Sequence, residues 1–375
     1  MLRLIITILF FSLSLLSVCN APSYFMWYVA ILVTEFPLLF LFITALLLFW
    51  GFRVAHYRAA GTIIGLIAFV LFLLPVADAY IIGKNLPAKF DSAFGVSAPV
   101  KDHNPFSFWR MLAGKGANDV PYTTIPYTAP DDKPLTLDYY HARAAGKRPC
   151  VIVVHGGSWS AGDSRQLPEL NSAMARAGYN VATINYRLAP AYHSPAPVAD
   201  VQAALAYLRA HAQDLSIDTN SFILLGRSAG GQIVLSAAYT LHDAGIKGVV
   251  NFYGPTDMVW GYANPANPMV IDTKKIMEDY LGGTYGQVPQ NYTASSATAA
   301  ISRGAPPTLT IHGKNDPLVA YEHCTRLEQR LQSAGVRHLS LSLPWATHGC
   351  DYSLNGPSGQ LSTYTVLRFL DAVTK

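Results

Sequence analysis

A serine, an aspartate and a histidine, each just past an apolar run and within two residues of a glycine or proline, are the residues of this chain best suited to covalent chemistry. Ser228 lies in Gly226-Arg227-Ser228-Ala229-Gly230, after the apolar run Phe222 to Leu225 and before a helical pattern that continues through Ala238. A strand that turns sharply into a helix presents a serine at a strained backbone angle, and side chains at 226 and 230 would crowd the turn. The following helix points its first N–H groups toward charge that develops near Ser228. A serine hydroxyl needs a base to take its proton and donors to hold an oxyanion. Downstream, the run Thr308 to His312 leads to Asp316, and the run Leu339 to Leu343 leads to His348. Upstream, Val151 to Val154 ends in His155-Gly156-Gly157-Ser158-Trp159, where the backbone amides of Gly156 or Gly157, together with Ala229, are the expected oxyanion donors. A second acid, Asp257, follows an earlier strand in Tyr253-Gly-Pro-Thr-Asp257, and serves equally well as a brace for the loop it opens.

The order Ser, Asp, His, each at the C-terminal end of a strand, is the one used by α/β-hydrolases. Residues from about 121 to 375 resemble that superfamily, and within it the hormone-sensitive-lipase-like and feruloyl-esterase-like carboxylesterases. The shared marks are His155-Gly-Gly-x-Trp159, Asn185-Tyr-Arg-Leu-Ala-Pro190, Gly226-x-Ser-Ala-Gly-Gly231, Pro306-Pro-Thr-Leu309 and His312-Gly-x-x-Asp316. Many relatives carry a third glycine where this chain has Ser158. The resemblance implies an esterase with Ser228 as nucleophile, His348 as base and Asp316 as its acid, with no cofactor.

Such a site needs a mostly parallel sheet whose strand ends carry the three groups. Strands and helices alternate from Val120 onward, as an α/β sheet requires. Strands are expected at Leu135–Tyr140, Cys150–Val154, Asn180–Asn185, Phe222–Leu225, Gly248–Phe252, from Thr308 and at Leu339–Leu343. Helices are expected at Gln166–Ala177, Pro197–Ala212, Tyr321–Ala334 and near Gln360–Val373. Residues 254–305 break the alternation, with one helical piece at Lys274–Leu281, and in this family such an excursion covers part of the active site.

The first 83 residues are of a different character. Only 13% of the 375 residues are charged, and the mean hydropathy is +0.24, which is unusual for a soluble enzyme. Apolar segments near 2–19, 24–50 and 59–82 account for this and are expected to meet a bilayer; the first could instead be a signal peptide. Within the second, Glu35 and Pro37 are expected near the interface and Leu38 to Trp50 deep in the membrane. Leu16-Ser-Val-Cys19 resembles a bacterial lipoprotein box except for its bulky Val18. Arg3 precedes the first segment and Arg53, His56 and Arg58 separate the second from the third, so these are expected on the cytoplasmic side and the hydrolase on the other. Residues 84–120 read as a linker with an amphipathic stretch, Pro105 to Leu112.

The net charge of +4 comes with no Lys/Arg stripe, so nucleic acid is not an expected partner. Metal-ligand spacings, P-loops and dinucleotide fingerprints are absent from the sequence. His155 and His312 are expected to be structural hydrogen-bonders. Cys324 and Cys350 follow the acid and the base, so a bridge between them would suit an oxidising compartment. A membrane-anchored serine carboxylesterase is the expected function. An amidase, formamidase or peptidase on the same machinery, or an inactive hydrolase fold used for binding, are the alternatives.

Overall fold

The computed structural model describes residues 1–95, 104–116 and 118–375. Eight strands form one sheet in the order β1-β2-β4-β3-β5-β6-β7-β8: β1 (Tyr122–Thr128), β2 (Leu135–Tyr140), β3 (Arg148–Val154), β4 (Asn180–Ile184), β5 (Ile217–Arg227), β6 (Ile246–Phe252), β7 (Thr308–Gly313) and β8 (His338–Leu343). The first two are antiparallel to their neighbours, and every pair from β4 onward is parallel. The inner strands are buried on both faces, which explains why they read as continuous apolar runs rather than alternating ones.

Four apolar helices precede the sheet: α1 (Leu2–Ser14), α2 (Tyr24–Glu35), α3 (Pro37–Trp50) and α4 (Arg58–Phe94), with a short α5 (Phe108–Ala113) after them. The hydrolase helices are α6 (Pro168–Arg176), α7 (Ala196–Ala210), α8 (Ala229–Thr240), α13 (Glu322–Ser333) and α14 (Pro357–Thr374). The excursion between β6 and β7 contributes α9 (Met258–Ala263), α10 (Thr273–Leu281), α11 (Pro289–Ala294) and α12 (Ala297–Ala300).

The N-terminal part departs from the sequence reading in two ways. The segment 24–50 is two helices that meet at an angle of 84° at Phe36 and Pro37, not one rod. The expected linker is also helical at its start, because α4 runs unbroken for 37 residues through Pro75 and Pro87. Its last turns are held on the hydrolase: Lys89 Nζ donates to the Ser340 carbonyl at 3.0 Å, Arg368 pairs with Asp91, and Phe94 meets Phe369 edge-on at 5.2 Å. Residues 96–103 of that linker lie outside the described residues. In the amphipathic stretch, Ser107 N–H donates to Gln360 Oε1 at 2.8 Å, while Phe108, Trp109 and Leu112 are exposed.

Helix α4 is long and apolar enough to cross a membrane, and α2 with α3 meets the same criterion only as a bent pair. Helices α1, α3 and α4 pack together, with buried Thr7, Thr44 and Phe72 among their contacts. Arg3 is buried at the far end of this bundle, where Nε donates to the Leu47 carbonyl at 2.9 Å and Nη2 to Thr62 Oγ1 at 3.1 Å. A carbonyl near the C-terminal end of α3 is a favourable partner for a cation.

Candidate active site

Ser228 is the residue between β5 and α8, with φ +53 and ψ −120, a conformation L residues seldom adopt. Strain of this kind persists only where the surroundings enforce it. Here the turn is so tight that a Cβ at Gly226 would collide with the Gly230 carbonyl, and one at Gly230 with the Val154 carbonyl. Glycine is required at both positions for contact reasons, as the sequence suggested.

The histidine and the acid come from the loops after β8 and β7. His348 Nε2 lies 2.9 Å from Ser228 Oγ, and His348 Nδ1 lies 2.7 Å from Asp316 Oδ2. The other Asp316 oxygen accepts from the backbone N–H groups of Leu318 and Val319, both at 2.9 Å. Burial opposes ionisation of Asp316, but the neighbouring His348 and His312 outweigh it and hold the carboxyl well below the ordinary range. Asp257 is elsewhere. It caps α9 by accepting from Trp260 N–H at 2.9 Å and receives Arg326 Nη2 at 2.6 Å.

One expected oxyanion donor is already occupied. The Gly156 N–H donates to Gln166 Oε1 at 2.7 Å, so it is not free to meet an oxyanion. Among the described residues the N–H groups of Gly157 and Ala229 have no such partner. Ser158 and Trp159 have φ of +54 and +60, in the left-handed region that favours glycine. A glycine at position 158, which the family resemblance leads one to expect, would adopt this conformation without strain. Beneath this turn His155 stacks on Tyr186 at 4.3 Å, and its Nδ1 lies 2.7 Å from the Gly156 carbonyl.

Several neighbours of the site had roles that the sequence did not specify. His312 Nε2 is 3.0 Å from the Val319 carbonyl and 3.2 Å from Asp316 Oδ2, so it braces the acid as well as its loop. Arg227, fully buried, pairs with Asp351, which also receives the Tyr253 hydroxyl. Trp27 of α2 donates from Nε1 to the His348 carbonyl at 2.9 Å, and its ring is 6.1 Å from the imidazole. Helical spacing in an apolar segment gives no sign that one of its residues touches a histidine 321 positions away.

The thiols of Cys324 and Cys350 are free, contrary to the expected bridge. Cys324 faces Ser340 and Tyr321, and burial pushes it up to about 12; Cys350 is buried beside Asp351 and Glu35. Cys324 lies in the first turn of α13 and Cys350 in the turn after His348, each with different neighbours.

Two cavities meet at Ser228. One, of about 550 Å³, lies between the excursion, with Ile276 and Met277, and the loop Pro317 to Ala320. The other, of about 520 Å³, lies between α2 and the loops bearing Gly157, Tyr253 and His348.

Solved structures with a similar fold include an esterase from Pyrobaculum calidifontis, at a TM-score of 0.59 and 19% identity over 77% of this chain and 92% of that one. A truncated carbohydrate esterase from gut microbiota gives 0.56 and 19% over 68% and 100%. Both place this chain in the α/β-hydrolase fold. Among curated proteins it is similar to Esterase LipC of Mycobacterium tuberculosis, 28% identical over 65% of this chain, and spans 63% of LipC's length. It is also similar to the probable carboxylic ester hydrolase LipM of the same organism, 27% identical over 88% of this chain and 82% of LipM. The BD-FAE family model matches residues 137–331, a stretch that holds Ser228, Asp316 and the oxyanion turn and covers more than half of the chain, which therefore belongs to the BD-FAE family.

Proposed function

We propose that this protein is a serine carboxylesterase carried on a membrane by its N-terminal helices. The observation that carries the catalytic part is His348, whose two ring nitrogens lie at hydrogen-bond distance from Ser228 Oγ and Asp316 Oδ2. Ser228 Oγ attacks the ester carbonyl while His348 Nε2 accepts its proton. Asp316 accepts from Nδ1–H, which holds the tautomer and stabilises the imidazolium. The N–H groups of Gly157 and Ala229 hold the oxyanion. His348 then donates its proton to the departing alcohol, and water, activated by the same imidazole, releases the acid from Ser228. Similarity to proteins named esterases supports ester over amide bonds.

The test is turnover of a panel of esters and their amide isosteres by the purified full chain, with labelling by a fluorophosphonate. Labelling at Ser228 with ester turnover is the expected result. Amide turnover without ester turnover would move the chain to the amidases, and neither labelling nor turnover would make it a binding protein.

The membrane part rests on the bundle of α1, α3 and α4. Arg3, Arg53, His56 and Arg58 gather at the end opposite the hydrolase, so the positive-inside tendency puts that end in the cytoplasm and the catalytic domain outside. A reporter that works only outside the cytoplasm, fused after Lys375, is expected to be active, and one inserted in the 51–58 loop silent. The reverse pattern would turn the topology over.

A further inference from the structure

Three observations single out α2. Its Trp27 is hydrogen-bonded to the His348 carbonyl, its first N–H, at Tyr24, donates to the Met269 carbonyl of the excursion at 3.1 Å, and its last residue, Glu35, packs on Gly356 at the start of α14. The helix is therefore fastened to the hydrolase along its whole length. Between those fastenings Tyr28, Ile31 and Leu32 line the cavity of about 520 Å³ that opens onto Ser228. An apolar helix, which its composition alone assigns to a membrane, thus forms one wall of the catalytic site.

The chemistry decides what that cavity holds. The alcohol must leave with a proton from His348 Nε2, so the alcohol limb has to lie on the side of Ser228 that His348 occupies. His348, Gly349 and Tyr253 line the α2 cavity and not the other, which is lined mainly by the excursion and by Pro317 to Ala320, with Asn20 to Pro22 at its edge; Ile271 and Leu318 border both. The acyl limb, which stays on Ser228 after the alcohol departs, takes the second space. The charged groups at the two cavities are already engaged within the protein, Arg227 by Asp351 and Asp316 by hydrogen bonds with His348 and with the N–H groups of Leu318 and Val319. An anionic limb would find no counter-charge there, and desolvating it would be costly. At the mouth, Tyr24, Tyr28 and Leu32 are each about half exposed, at 48%, 49% and 49%, and continue into the exposed apolar face of Phe25 and Phe36.

Building on the esterase reading, we infer that α2 is the specificity wall for the alcohol limb, and that the substrate is an uncharged ester with an apolar alcohol which enters past Tyr24, Tyr28 and Leu32.

Two ester series on the full chain in detergent test this: one acid esterified to alcohols of rising length, and one alcohol esterified to acids of rising length. Leu32→Trp, which narrows the α2 cavity, is expected to cut kcat/KM for long-alcohol esters at least ten-fold more than for ethyl esters, and to leave the shape of the acyl profile as in the wild type. Tyr28→Ala, which widens the same cavity, is expected to shift the optimum toward bulkier alcohols, so loss of folding in one variant leaves the other to decide. Ile276→Trp is expected to reshape the acyl series instead. If the α2 variants reshape the acyl series, or neither series changes while the wild type turns esters over, the assignment is overturned and the esterase reading stands. A wild type that turns over no ester overturns both. A substrate optimum at a charged alcohol would overturn the proposed substrate class.

Discussion

The two cavities on either side of Ser228 have similar volumes and different principal walls. The acyl-side cavity is built mainly by the excursion and the loop after β7, with only Asn20 to Pro22, just before α2, reaching it from the N-terminal part. The alcohol-side cavity borrows its wall from an N-terminal apolar helix that contributes nothing to the sheet. The chemistry is thus anchored on strand ends that a hydrolase fold supplies by itself, whereas half of the binding space depends on a segment attached from outside that fold. Substitutions at the strand ends should act on kcat, and those in the cavity walls on the choice of substrate.

The sharpest test of this division is Ser228→Ala, expected to lower kcat by several orders of magnitude for every ester alike, with folding unchanged by circular dichroism. A remaining difference between ester series in that variant would show that the cavities do chemistry by another route. Next is Asp316→Asn, expected to cost roughly three to four orders of magnitude in kcat by disturbing the histidine tautomer. Asp257→Asn should keep turnover while lowering the thermal midpoint, because it loses part of the α9 cap and the pairing with Arg326. An inactive, folded Asp257 variant beside an active Asp316 variant would exchange their roles.

Trp27→Phe crosses the boundary between the two regions. It removes the hydrogen bond to the His348 carbonyl while keeping an aromatic ring, and should lower kcat by about 3- to 10-fold, in line with about 0.5–1.5 kcal/mol for such a bond. An unchanged kcat would mean that α2 only shapes the cavity. The smallest effect is one of pH. Burial pushes His323, on the acyl-side cavity, down to about 3, and its Nδ1 faces the N–H groups of Thr256 and Asp257. Unfolded, it takes up a proton near 6.5, so between about 6.5 and 3 the unfolded chain binds more protons and stability falls as the pH falls. His323→Gln should flatten that dependence by up to about 1.4 kcal/mol per pH unit, the slope of one proton, measured by denaturant titration in detergent. Depression of the Asp316 carboxyl acts in the same direction at lower pH: its contribution is present above the ordinary carboxylate range and is lost as the pH drops through it.

The hydrolase half was open to sequence reading because its signals are local. Runs such as Leu135–Tyr140 match a strand residue for residue, and the helix expected at Lys274–Leu281 differs from α10 by one position. Strand β1 escaped because it is an edge strand with mostly exposed side chains and a proline at 126. Proline also concealed the reach of α4, since Pro87 usually marks a helix end, yet packing of Phe90 and Phe94 on the hydrolase carries the helix past it. The capture of Gly156 by Gln166 and the contact of Trp27 with His348 depend on partners 10 and 321 residues away, which no periodicity encodes.

The unbroken course of α4 has a mechanical consequence. At 1.5 Å per residue its 37 residues measure about 55 Å, and one end belongs to the apolar bundle while the other is bolted to β8 and α14. A catalytic domain on a slack tether would sample a hemisphere of heights and headings. This one is carried on a strut, at a set elevation and a set compass bearing, so its mouth faces the same way in every copy. Each residue added within the strut would raise the site by about 1.5 Å and swing it by about 100°, which makes the length of α4 as much a part of the enzyme's aim as any side chain in the pocket.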